Sequence, residues 1–203
     1  MRYIALAKWV ALPLGIAVGL LALPLAGTTV VRAPANANQS VSVFLIDEAK
    51  TSSLALPQRG GGFVRYAYGD WNWYALQNQS VLDGLAALLW PTGGALGRVE
   101  MNTAATPDAM RHAIGGDVEV YAIEVDRSAS DRLLARLEDA HERGQRAGPV
   151  VQSYGLNFVP DPQKYTYFNN SNHRTAAWLR ELGCEVRGAA VYSRWRVEPS
   201  RSP

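Results

Sequence analysis

Residues 165–183 constrain this chain more than any other stretch. An aromatic run, Tyr165-Thr166-Tyr167-Phe168, stops at four polar residues, Asn169-Asn170-Ser171-Asn172, followed by His173 and Arg174. Thr175, Trp178, Leu179 and Leu182 then recur at helical spacing, and Gly183 supplies a left-handed stop. The polar cluster therefore falls where a strand hands over to the first turn of a helix. Asn and Ser are favoured there because their side-chain oxygens accept the unpaired N–H groups of that turn. The same position carries free donors and a partial positive charge, so it can hold an anion or activate a nucleophile.

Charge shows what the body of the chain is not. The 203 residues carry a formal net charge of +2. Arg2, Lys8 and Arg32 all precede the first acidic residue, Asp47. Setting those three aside leaves 17 basic residues against 18 acidic ones, a net of −1. Such a balance offers no electrostatic footprint for nucleic acid.

The basic residues Arg2 and Lys8 precede an uncharged, mostly apolar run over residues 9–31. That run exceeds the roughly 20 residues a membrane-spanning helix needs. Two fates follow. The run is either an uncleaved anchor with its positive end in the cytoplasm, or a signal peptide cut after Ala35-Asn36-Ala37. Both export the body, to an inner-membrane-anchored or a periplasmic location. The expected division is 1–37 for the signal peptide or membrane anchor, 38–198 for the folded domain and 199–203 for a loose tail. The single cysteine, Cys184, has no internal partner for a disulfide and reads as a small buried residue.

Alternation and apolar runs predict strands over 41–46, 52–56, 63–68, 97–102, 118–125, 150–158 and 185–191, with 192–197 as an edge strand. A loop holding Pro160 and Pro162 separates 150–158 from the strand-like residues 165–168. Helices are expected over 80–90, from Thr106-Pro107-Asp108 to about 114, and from Ser128-Ala129-Ser130-Asp131, read as a capping box, to Gly144. Strands cluster early and recur between helices, which points to an α+β fold with a mainly antiparallel sheet.

Four stretches carry a resemblance: Thr51-Ser52-Ser53-Leu54-Ala55-Leu56-Pro57, Tyr68-Gly69-Asp70-Trp71-Asn72-Trp73-Tyr74, Leu88-Leu89-Trp90-Pro91 and the cluster at 169–183. In this order they resemble an uncharacterised family of exported bacterial proteins, itself similar to circularly permuted NlpC-type, papain-like cysteine hydrolases. The resemblance covers about residues 41–191. It implies a papain-like domain, preceded by the N-terminal apolar helix. It also implies a cysteine nucleophile at the helix start, with a histidine base on the early hairpin. Here Ser171 stands at the cysteine position and Thr51 at the histidine position.

Those two substitutions weigh on the chemistry. A helix N-terminus favours a negative group by about 0.3–2 kcal/mol. That can activate a thiol but not a hydroxyl, which needs a base beside it. His173 is two positions from Ser171, a spacing that does not face it on a regular helix. His141 reads as a packed or rim residue of its helix, and His112 has no visible partner. The resemblance makes Ser171 and Thr51 the candidate catalytic positions, and Tyr68, Asp70, Trp71, Asn170, Asn172 and His173 candidate binding residues. No spacing suggests a metal or a cofactor; Asp47, Glu48 and Asp70 read as solvated turn charges. The expected protein is a non-catalytic papain-like domain with a retained cleft for a peptide, amide or lipid-like ligand. The alternative is a hydrolase or acyl transferase acting through Ser171.

Overall fold

The computed structural model describes residues 27–35, 39–77 and 90–199. The helix expected over 80–90 and the loose tail fall almost entirely outside these residues, as does most of the N-terminal run. Ten strands are described: β1 (Thr29–Arg32), β2 (Ser40–Asp47), β3 (Ser52–Pro57), β4 (Phe63–Asp70), β5 (Thr92–Met101), β6 (Glu119–Asp126), β7 (Val151–Ser153), β8 (Leu156–Tyr165), β9 (Glu185–Arg187) and β10 (Trp195–Glu198). With them are α1 (Pro107–Ile114), α2 (Arg127–Ala147), α3 (Ser171–Glu181) and a π-helical turn at Trp71–Ala75. Among the described residues no helix is long and apolar enough to cross a membrane.

The fold is α+β. A seven-stranded sheet runs β6-β2-β3-β4-β5-β8-β7, and every neighbouring pair in it is antiparallel. A second, three-stranded sheet runs β10-β1-β9, with β1 parallel to β10 and antiparallel to β9. The period of two in β2 sends its side chains to both faces of the large sheet. Val43 and Leu45 join the core under α2 and α3, with Leu133, Leu137, Trp178 and Leu179. Phe44 and Ile46 face the other way, against Met110 of α1.

Several expectations are corrected by packing. Residues 29–31, placed in the apolar helix, belong to strand β1, where Val31 is fully buried. The strand expected over 150–158 is a hairpin. Tyr154 and Gly155 both take positive φ (49° and 71°) in a two-residue turn whose twist matches its strands. The loop at Pro160 and Pro162 is continuous strand β8. Its partner β7 pairs only with residues 156–158, so the prolines lie on the sheet edge, where no ladder hydrogen bond is lost. The strand expected over 185–191 ends at Arg187. Helix α2 is capped by Asp126, whose Oδ1 accepts the Ser128 N–H at 2.8 Å, rather than by Ser128.

Helix α2 also runs through Gly144, the expected stop. A Cβ there would lie 2.4 Å from Val159 Cγ2 and 2.7 Å from the Pro160 carbonyl oxygen. Gly144 is kept for close approach to β8. Gly144→Ala gains up to about 1 kcal/mol of helix propensity. The forced separation of helix and strand outweighs it, so a net loss of about 1–3 kcal/mol is expected. A urea midpoint equal to or above that of the wild type would refute this account of Gly144.

Candidate functional site

The first turn of α3 is tied to two distant parts of the chain. Asn170 caps it: Oδ1 accepts the N–H groups of Asn172 (3.0 Å) and His173 (3.1 Å), and Nδ2 donates to the Val191 carbonyl at 2.9 Å. Asn172 reaches further. Its Oδ1 accepts from Ser52 Oγ at 2.9 Å, and its Nδ2 donates to the carbonyls of Lys50 and Val191, both at 3.2 Å. Thr175 Oγ1 donates to the Ser52 carbonyl at 3.2 Å. The side-chain amide of Asn172 thus has both donors and its acceptor occupied. The tip of the β2–β3 hairpin, the start of α3 and the 188–194 loop meet at this knot. Ser193 closes it from the third side, with Oγ 2.5 Å from Asp47 Oδ1 and 2.9 Å from the Thr51 carbonyl.

The candidate residues divide accordingly. Ser171 opens α3 and is 2% exposed. His173 places Nδ1 2.9 Å from Asn170 Oδ1. That oxygen already accepts two backbone N–H groups, so Nδ1 is the protonated nitrogen. Burial, with the nearby charge of Arg180, holds His173 below its ordinary pKa. Asp70 is buried because its carboxylate serves its own turn. It accepts the Trp73 N–H at 2.8 Å and the Thr92 hydroxyl. Trp71, half-buried, packs with Ala75 and Phe158. Cys184 is buried, and its thiol is pushed up to about 12.

Thr51 and Tyr68 line a cleft of about 220 Å³, with Glu48, Arg65, Tyr74 and Tyr154 also in its wall. Arg65 alternates with Val64 and Tyr66 of the core under the helices, so it faces the opposite side of the sheet. It is 6% exposed and fully engaged: Nε donates to Ser53 Oγ at 2.9 Å, and Nη2 lies 2.6 Å from Glu48 Oε1. The Tyr74 hydroxyl bonds the Thr51 side chain, and burial pushes that phenol well above its ordinary pKa. The cleft is therefore lined by neutral hydroxyls, the Arg65–Glu48 pair, Lys50 and the apolar side chains of Ala67, Leu156 and Phe158. Its volume is below the roughly 300 Å³ of common small-molecule pockets. Ser171 lines neither this cleft nor the groove between α2 and β8.

Asp47 and Glu48, expected as solvated turn charges, instead tie the hairpin to Ser193 and to Arg65. The sequence signal for the second contact is Arg65 itself, a lone charge in the apolar run Phe63-Val64-Arg65-Tyr66. His141 is 5% exposed, with Nε2 3.0 Å from the Asn157 carbonyl, and joins α2 to β8. Among the described residues no group of His, Cys, Asp and Glu could hold a metal ion. Compared against protein-family models, curated proteins and solved structures, the chain matches none.

Proposed function

We propose that this chain is a membrane-anchored protein of the cell envelope whose body is a non-catalytic, permuted papain-like domain with a small retained ligand cleft. One observation supports this reading most: the polar side chains flanking Ser171 at the start of α3 are spent on structural hydrogen bonds. Asn170 caps the helix, Asn172 clamps the hairpin, and His173 donates to the cap. The resemblance requires the early hairpin to meet the last helix, and the Ser52–Asn172 bond joins those two elements. The open cleft begins at Thr51, one residue from that bond. Its mix of hydroxyls, apolar side chains and Lys50 suits an amide or peptide-like group.

Of the two fates of the N-terminus, the anchor fits this reading. A cut after Ala37 would take β1 with it.

The test is a fluorophosphonate probe applied to the intact chain in detergent, alongside amide and ester hydrolysis assays. No label and no turnover above background are expected. Label on Ser171 that disappears in Ser171→Ala would replace this reading with the hydrolase or acyl-transferase one.

A further inference from the structure

A second concavity lies outside the cleft, between the C-terminal half of α2, the edge of β8 and Arg174 of α3. It encloses about 590 Å³, and four guanidinium groups line it: Arg136, Arg143, Arg146 and Arg174. Three of them are held at the rim by exposed carboxylates. Arg136 pairs with Glu181 at 2.9 Å, Arg146 with Glu142 at 3.7 Å, and Arg143 with Asp139. Such solvent-exposed pairs are weak and yield readily to a competing anion.

Arg174 differs from these three. Among the described residues it forms no ion pair. It is positioned instead by Gln163, whose Oε1 accepts from Nη1 at 2.6 Å. The rings of Tyr68 and Trp178 lie 5.2 Å and 5.9 Å from its guanidinium carbon. Its Nε is buried and has no hydrogen-bond partner. A cation fixed in place, stacked on aromatic rings and without a carboxylate partner is already arranged for an anion. Asp161 is the one acidic residue in the lining.

The geometry points to an oxyanion site in this groove, for a phosphate group carried by a free phosphate ion or by the headgroup of an anionic phospholipid, with Arg174 as its anchor. A tetrahedral phosphate offers several acceptor oxygens and can take bonds from Arg174 and from the rim arginines together, which a planar carboxylate does less well. Asp161 opposes the anion by like charge. Burial raises its pKa above the ordinary carboxylate value.

Two probes distinguish the sources: inorganic phosphate, and monomeric dihexanoylphosphatidylglycerol with dihexanoylphosphatidylcholine as the neutral control. Each is titrated calorimetrically into the full chain in detergent. Binding of phosphate alone assigns a free anion; binding of the anionic lipid in preference to the neutral one assigns a headgroup. In either case Arg174→Gln is expected to weaken binding by about tenfold or more, as for loss of a charged hydrogen-bond donor. Asp161→Asn is expected to strengthen it. The surface double variant Arg143→Gln/Arg146→Gln leaves the core untouched and is expected to weaken binding by about threefold. That variant decides the matter should Arg174→Gln fail to fold. Absence of binding by both probes overturns the inference, as does binding indifferent to the charge-removing variants that fold.

Discussion

A chain started at residue 38 is expected to lose its cooperative fold, whereas one started at residue 27 is expected to keep it. The difference is β1. This four-residue strand is the middle member of the small sheet, so without it β9 and β10 have no partner. Val31 is fully buried in the main core, and burying a Val side chain stabilises by about 1.5–3 kcal/mol. Thr29 donates its N–H to the Arg194 carbonyl at 2.7 Å, and its hydroxyl accepts the Ala190 N–H at 3.1 Å. Both bonds hold the 188–194 loop, which carries the Val191 carbonyl and Ser193 to the start of α3. Arg32 adds a bridge between Glu185 and Glu198. Losing the strand costs about 5 kcal/mol or more, comparable to the whole stability of an ordinary domain. Circular dichroism and urea unfolding of the two chains measure this directly. Equal midpoints would mean that β1 is an accessory strand.

The same strand marks the limit of what the sequence discloses. Local signals survive well. Thr106 caps α1 by accepting the Ala109 N–H at 3.2 Å, as Thr-Pro-Asp announces. Gly183 takes a φ of 86° and ends α3, with the Cys184 N–H returning to the Leu179 carbonyl at 3.0 Å. The alternation of β2 and β6 is plain because each buries at least one face. Strand β1 is different. The sequence does not distinguish Val30 and Val31 from the apolar run before them; pairing with β9 and β10, far along the chain, makes them strand. At the site, a polar cap within residues 169–172 is legible in the sequence, but that Asn170, a candidate binding residue, supplies it is not. The wider knot was not, because Asn172 binds the backbone carbonyls of Lys50 and Val191, and a backbone acceptor leaves no mark in the sequence.

Asn172→Ala is expected to be the most damaging single substitution at the site. It removes three hydrogen bonds: the Ser52 hydroxyl, at 1% exposure, and the Lys50 carbonyl lose their Asn172 partner, while the Val191 carbonyl keeps only Asn170. Each buried group left unsatisfied costs about 1–3 kcal/mol, so a total loss of about 3–5 kcal/mol is expected. Asn172→Asp separates the hydrogen-bond account from simple loss of volume. The aspartate still accepts from Ser52, but at neutral pH it sets a buried charge against two carbonyl oxygens. Burial and those dipoles raise its folded pKa above the unfolded value of about 3.9. The penalty is therefore full above the folded pKa and shrinks as pH falls through it, because the folded state then binds the proton more tightly. At pH 7 the Asp variant should be at least as unstable as Ala, and it should recover relative to Ala on acidification. Urea midpoints of both variants across that range provide the check. If Asn172→Ala costs under about 1 kcal/mol, the three bonds do not join hairpin to helix, and the cleft at Thr51 is positioned by something else.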